Sequence, residues 1–443
     1  SKIQNPKFSL PRYPRYKDSG VEWLGEVPEH WEVEKGLRYF FETEDRSVKG
    51  DEELLSVSHL TGVTPRSEKN ITMFMAESYE GSKLCDVGDI AINTMWAWMS
   101  ALGVSKYRGL VSPSYGTYRQ RKPKRFNPTF LDHLIRTDVY RSHYTVNSTG
   151  ITTSRLRLYP HSFLRLKFIC PPSEEQDRIV AFLDQKTAEI DALIAKKQRQ
   201  IELLDEQKAI LINRAVTRGL NPNAKLKPSG IEWLPKIPHN WSSVKLRHLA
   251  ALIQTGPFGS QLHSEEYVEN GTPIINPSHM RGGRITPDFK CAITDKKVAE
   301  LARHKLRCGD IVFARRGELG RCGLVTEKEE GWICGTGSLL MRPKLGQMNS
   351  EYLVLALSDR HVGEVLTLQS VGSTMDNLNT GMISDLAVPL PPTEEQTAIV
   401  ETAHKITDAF RKLQLTVESQ IASLQTLRST IIVHAVTGRI KVN

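Results

Sequence analysis

The sequence predicts an α+β chain: two strand- and loop-rich domains with short helices, each followed by a long helix. The two long helices are expected to pair as an antiparallel coiled coil about a pseudo-twofold axis. Three observations predict this: an internal repeat, two helix starts after double prolines, and two long apolar seams. At 443 residues the chain is too long for one ordinary domain and ample for two cores.

The repeat is written in four motifs kept in order. Ser19-Gly20-Val21-Glu22-Trp23-Leu24 returns as Ser229-Gly230-Ile231-Glu232-Trp233-Leu234, and the match runs on through Pro28 and Trp31 to Pro238 and Trp241. Gly88-Asp89-Ile90 returns as Gly309-Asp310-Ile311, and Pro171-Pro172-Ser173-Glu174-Glu175-Gln176 as Pro391-Pro392-Thr393-Glu394-Glu395-Gln396. Ala215-Val216-Thr217 returns as Ala435-Val436-Thr437, with the following glycine one residue earlier in the second copy. The offset grows from about 210 to about 220 residues, so the second globular part is the longer one and the helical part keeps its length.

The double prolines end extended segments. Ser173 and Thr393 then stand as N-caps, with Gln176 and Gln396 at capping-box spacing. Glu174, Glu175, Glu394 and Glu395 place negative charge in the first turns, where the helix dipole favours it. Apolar residues follow in steps of three and four: Ile179, Leu183, Ile190, Ile194, Ile201, Leu204, Leu211 and Ala215 in the first run. The second runs Ile399, Ala403, Ile406, Phe410, Leu413, Val417, Ile421, Leu424, Ile431 and Ala435. Such seams need a partner, and the simplest partner for each helix is the other. Lys197 and Lys208 interrupt the first seam, which costs stability and can fix register.

Short apolar runs separated by Gly, Pro, Asn and Ser read as strands: Leu54–Val57, Ile90–Ile92, Ile274–Ile275, Ile311–Phe313 and Leu339–Met341. Helical patterns follow Asn127-Pro128 and Asn349-Ser350. The expected division is a first domain over 1–170, a first helix over 171–218, a second domain with its linker over 219–390, and a second helix over 391–443.

Composition, with 39% hydrophobic and 25% charged residues, is that of a globular protein. No apolar run is long enough to span a bilayer, and the first residues lack a signal-peptide pattern, so the cytoplasm is the expected location. Six cysteines without a CxxC pair exclude a disulfide scaffold, and no metal site is expected. The net charge is +9. The long helices are slightly acidic, so the basic surplus falls in the loops of the globular parts, as suits a polyanionic partner. Arg119-Gln120-Arg121-Lys122-Pro123-Lys124-Arg125 is the densest run. Arg315, Arg316 and Arg321 flank a glycine, Arg155 and Arg157 follow Gly150, and Arg281 and Arg284 flank Gly282-Gly283. Arg and Lys beside small residues suit phosphate and base-edge contacts, although any one of them is as readily a solvated face. Trp96 and Trp98 fit DNA contact or core packing.

Catalytic constellations are missing. There is no GxxxxGK[ST] and no HExxH, and the glycine-rich stretches lack dinucleotide-loop spacing. The double prolines lack the flanking acidic or amide residue and aromatic with which amino-methyltransferases hold a target amine. No catalytic residue is therefore assigned.

The opening motif at 19–31 with its echo at 229–241, the two Pro-Pro-x-Glu-Glu-Gln helix starts and the Ala-Val-Thr endings together resemble the specificity (S) subunits of type I restriction–modification systems. The resemblance covers nearly the whole chain. It implies that each globular part is a target recognition domain, that the pair reads the halves of a bipartite double-stranded DNA site, and that the helices bind two modification (methyltransferase) subunits. It further implies that S-adenosylmethionine sits on those partners, and ATP and Mg on restriction subunits that join them. This chain itself would hold no cofactor and carry no catalysis. Unlike loops on a two-fold frame predict an asymmetric target with inverted half-sites, diverging most where the second domain is longer.

Loops that differ between the copies supply the candidate DNA-contacting residues. In the first copy these are Asn93, Thr94, Trp96, Arg119, Arg121, Lys122, Thr152, Ser154 and Arg155. In the second they are Gln261, His279, Arg281, Arg315, Arg316, Ser373 and Asn377. The equivalence of His59 and His279 favours a structural role for both. Two other readings stay open: an enzyme that modifies or cuts DNA with fused recognition, and a coiled-coil scaffold without sequence readout.

Overall fold

The computed structural model describes residues 11–69, 78–150, 156–258, 261–344, 346–370 and 377–442. Two long helices dominate the element order, Ser173–Arg218 and Thr393–Val436. Two compact units form around them. One contains 1–198 together with 418–443, the other 199–417. Each unit thus combines a globular part, the start of the helix that follows it, and the end of the helix belonging to the other repeat.

In the first unit a four-stranded sheet runs in the order Phe40–Glu42, Gly116–Gln120, Ile90–Ile92, Leu102–Val104. The second unit repeats that order with Ala250–Thr255, Ser338–Pro343, Ile311–Ala314 and Cys322–Leu324. Ile90–Ile92 and Ile311–Ala314 are buried throughout. That fits central strands covered on both faces and explains their unbroken apolar letters. The segment ahead of each double proline also pairs antiparallel in each unit: Lys167–Cys170 with Glu32–Lys35, and Ala387–Leu390 with Ser242–Lys245.

Short helices follow the expected caps. Asn127 accepts from the backbone N–H groups of Thr129 and Phe130 at 2.9 and 3.3 Å, starting Pro128–Ile135. Asn349 accepts from Glu351 and Tyr352 at 2.9 and 3.1 Å, starting Ser350–Leu357. Each side chain thereby satisfies amides that a helix start leaves unpaired.

The units differ in their additions. The first has a hairpin of Leu55–Ser58 and Gly62–Pro65, where the second has a shorter one of Met280–Arg281 and Arg284–Ile285. The second has a sheet in which Thr272–Ile275 lies between Ala292–Ile293 and, in parallel, Ile333–Cys334. The extra length of the second copy falls between Trp241 and Ile311, where part of this addition lies.

The long helices run antiparallel within each unit. In the first, Arg428 pairs with Asp191 at 2.9 Å, and Ile179, Leu183 and Ile190 share a buried cluster with Ile431, Ala435 and Val436. In the second, Ala215 and Val216 share a core with Ile399 and Val400. The seam holds at the helix ends and thins between them. Leu211 and Leu413, both seam positions, are exposed, as are Leu203, Ile210 and Leu415.

The expected capping boxes are not what the glutamines make. Each long helix starts with a proline carbonyl, Pro172 or Pro392, accepting the first helical amide bonds. Gln176 and Gln396 turn inward and are buried. Gln176 donates to the Pro171 carbonyl at 2.9 Å and accepts from the Asn127 N–H at 2.7 Å. Gln396 does the same with Pro391 at 2.9 Å and Asn349 at 2.7 Å. A buried primary amide must satisfy both ends, and here it ties the long helix to the cap of the short one.

Candidate nucleic-acid interface

The repeated motifs meet in space and build the frame. Glu175 is buried, and its carboxylate accepts from Trp31 Nε1 at 3.1 Å, lies 2.8 Å from His30 Nε2, and accepts from the Tyr13 hydroxyl. Burial and this carboxylate push the Tyr13 phenol far above its ordinary range. Glu395 receives Trp241 Nε1 at 3.0 Å and Asn240 Nδ2 at 3.2 Å. The glycine after each Ala-Val-Thr closes the same arrangement. Gly438 has φ of 72°, and a Cβ there would lie 2.4 Å from Pro28 and 3.0 Å from Trp31. Gly219 has φ of 74°, and its Cβ would lie 2.7 Å from Glu395 and 3.2 Å from Trp241. The ending of each helix therefore serves the opening motif of the other copy.

The Gly-Asp-Ile motif is equally structural. Asp89 is 1% exposed and takes Arg119 through Nε and Nη2, both at 2.8 Å. Asp310, also 1% exposed, takes Arg342 at 2.8 and 2.7 Å. Arg119 further donates to Asp86 at 2.7 Å and to Asp45 at 3.2 Å. Four of the five N–H donors of its guanidinium are thus engaged by three carboxylates, which favours a structural role over its selection as a DNA contact.

Beyond these strands the chain leads into the loops that differ. In the first unit Ile90–Ile92 continues into Asn93, Thr94 and Trp96. Asn93 is buried, donating to the Tyr115 hydroxyl at 2.9 Å, and so shapes the turn from inside. Thr94 donates its hydroxyl to the Ser114 carbonyl at 3.1 Å, and its own carbonyl accepts from Leu158 N–H. Trp96 projects outward, 51% exposed, whereas Trp98 is held by a bond to the Met95 carbonyl. In the second unit Ile311–Ala314 continues into Arg315 and Arg316, and the Arg315 carbonyl accepts from Leu378 N–H. This is the counterpart of the Thr94–Leu158 bond. Arg315 Nε donates to the Leu378 carbonyl and Arg316 Nε to Asn377 Oδ1, both at 3.0 Å. Arg315, Arg316 and Asn377 are therefore brought together.

The remaining candidates are scattered. Arg121 is exposed, bonded to the Leu37 carbonyl at 2.8 Å and lying over the Phe41 ring; Lys122 is exposed beside it. Gln261 is half-buried and bonds back to Phe258. Arg281 is exposed and faces Arg284 across a two-residue turn of glycines with φ of 55° and 76°, a turn that positive φ reserves for such residues. His279 is buried and accepts from the Asn276 N–H through Nδ1 at 3.3 Å, a structural cap that corrects its selection as a reading residue. Thr152, Ser154, Arg155 and Ser373 lie outside the described residues.

His279, Asp288 and Cys291 bring one potential ligand atom each within 4.8 Å of one another. The Nδ1 of His279 is taken by the Asn276 N–H, and burial raises the Cys291 thiol. Sequence reasoning read Glu175 and Glu395 only as first-turn charge and missed Arg342; the signal of their pairing was recurrence at matched places in both copies.

The fold and its differing loops define a duplicated recognition scaffold. The family described as the type I restriction modification DNA specificity domain matches residues 238–421. The chain is 25% identical over 286 residues to the type I restriction enzyme MjaVIII specificity subunit of Methanocaldococcus jannaschii, covering 63% of each. It is 24% identical over 360 residues to the EcoKI specificity subunit of Escherichia coli, covering 80% of this chain and 75% of that one. The first of these matches thus takes in just under two thirds of the relative's own length. In fold it resembles a chain from a study of assembly and conformational transition in a type I restriction–modification system, with a TM-score of 0.59 at 18% identity, covering 93% of this chain and 98% of that one. In sequence the chain is similar to type I restriction–modification specificity subunits. Among the described residues no helix is long and apolar enough to cross a membrane.

Proposed function

We propose that this chain is the DNA-sequence recognition subunit of a type I restriction–modification assembly, reading an asymmetric bipartite site and scaffolding adenine methyltransferase subunits. The observation that carries the reading is a matched pair of loops on a matched frame. The same strand and the same backbone bond present Thr94 and Trp96 in one unit and Arg315, Arg316 and Asn377 in the other. A frame kept constant while the presented side chains change is what reading two different half-sites requires, because base edges carry the sequence information and the scaffold need not.

Partners supply the chemistry in this reading. S-adenosylmethionine sits on two methyltransferase subunits, and restriction subunits bring ATP and Mg. The exposed leucines and isoleucine along the long helices, including Leu203, Ile210 and Leu415, are apolar area that such partners would cover. The chain itself is non-catalytic and works in the cytoplasm.

The test is methylation-based selection from random DNA by the chain assembled with its methyltransferase subunits, followed by sequencing. The expected product is a two-part, non-palindromic site with a fixed spacer. Inserting one heptad into each long helix should lengthen the spacer and leave both half-sites unchanged; an unchanged spacer counts against the reading. Nuclease or methyltransferase activity by the chain alone would favour a fused enzyme instead.

A further inference from the structure

Three arginines surround the glycine of the second unit's loop, and they are not equivalent. Arg321 is answered by the Glu318 carboxylate at 3.4 Å. Arg315 is half-buried and tied to a backbone carbonyl. Arg316 is exposed, has no carboxylate partner among the described residues, and is held through Nε by the neutral amide oxygen of Asn377 at 3.0 Å. An amide positions a guanidinium without neutralising it. With Nε occupied, and with no bond to either terminal nitrogen among the described residues, those two nitrogens of the exposed side chain remain as a parallel pair of donors.

The loop under this fork is fixed before any ligand arrives. Ala314 N–H bonds to the Arg321 carbonyl and Arg315 N–H to the Gly337 carbonyl, both at 2.8 Å, and Leu378 N–H bonds to the Arg315 carbonyl at 3.0 Å. A pre-set backbone and an oriented fork keep the ordering cost of binding low. The geometry points to Arg316 as a guanine-reading residue, its terminal nitrogens bonding to O6 and N7 of one guanine in the half-site of the second unit, with Asn377 as its positioning residue. This rests on the proposed DNA-reading function and deepens it.

Guanine is favoured over phosphate by the comparison between the units. Every half-site has the same sugar–phosphate backbone, so a backbone contact at this loop would be wanted in both heads. The corresponding stretch of the first unit has Thr94 and Met95, and the exposed Arg157 beside it rests on the Met95 sulfur at 3.8 Å with no amide orienting its fork among the described residues. A guanidinium oriented by an amide in one head only matches a base present in one half-site only. Of the four bases, guanine alone offers two adjacent acceptors in the major groove.

The experiment is the selection described above, run on the assembled complex with wild type, Arg316→Lys and Asn377→Ala, and with Trp96→Ala to mark the other half-site. Arg316→Lys keeps the charge and loses the fork; being an exposed exchange, it leaves folding intact. The expected result is loss of preference at a single G·C pair, in the half-site that Trp96→Ala leaves unaltered, by about 5- to 150-fold. Asn377→Ala should weaken preference at the same pair by a smaller factor. If wild type selects a bipartite site and Arg316→Lys preserves preference at every position, the inference fails while the recognition reading stands. Uniform weakening across all sequences by Arg316→Ala, with a shallower salt dependence, would make it a phosphate contact and overturn the inference. A wild-type complex without any sequence preference overturns both.

Discussion

The two units share their frame residue for residue and differ where their loops face outward. Trp31 and Glu175 answer Trp241 and Glu395; Asp89 and Arg119 answer Asp310 and Arg342; Gln176 and Asn127 answer Gln396 and Asn349. Each shared pair includes a buried polar or charged group that would be costly without its partner. The exposed side chains presented beyond these strands, Trp96 and Arg316, carry no such debt to the core, and there the units part. Buried polar pairing thus marks scaffold in this protein, and uncompensated surface charge marks candidate function.

The strongest way to break the comparison is to leave a buried carboxylate alone. Arg119→Ala strands Asp89, and Arg342→Ala strands Asp310. Each should cost about 3–5 kcal/mol, and chemical denaturation followed by hydrogen exchange should show the loss in the mutated unit first. Equal loss in both units would contradict their separate cores. Trp31→Ala and Trp241→Ala remove fully buried indoles and should cost a similar ~3–5 kcal/mol, read as a lowered melting temperature.

Gly219→Ala and Gly438→Ala come next. Each forces a side chain into left-handed backbone against a tryptophan, and each should lose about 1 kcal/mol or more. The effect of Gly219→Ala belongs to the unit of Trp241, not to the copy in whose sequence the glycine is written.

The smallest effect concerns pH. His133, in the first unit, is lowered below its ordinary value of 6.5 by burial. A histidine whose folded pKa is depressed contributes stability that is complete above the unfolded pKa. That contribution is lost as pH falls from about 6.5 toward the folded value. Melting of wild type and His133→Phe between pH 8 and 5.5 should show a shallower acid slope in the variant; identical slopes would exclude His133 as a contributor.

Local signals carried most of the architecture. The double prolines, the three-and-four spacing of Ile179 to Ala215, and the unbroken apolar strands are properties of neighbouring residues, and the structure has helices and strands there. What local reading missed was decided at a distance. Gln176 sits at capping-box spacing, but its amide goes to a residue 49 positions away. Arg119 and Arg316 look alike among their sequence neighbours. One is taken by carboxylates 30, 33 and 74 positions away, and the other has none among the described residues. Burial of His279 similarly removed a residue whose chemistry alone suited base contact.

The crossing of helix ends has a consequence for what counts as one copy. The repeat in the letters and the unit in space are out of phase: the core around Trp31 is completed by Ala435, Val436 and Ile440, written more than half a chain later. A fragment stopping just past Gly219 would hold every motif of one repeat and still lack the lid of its own core. Its helix end would instead match the vacancy in a second such fragment. Half of this protein should therefore be stable only as a reciprocal pair, with its folding dependent on concentration in a way that the intact chain avoids by carrying both halves on one thread.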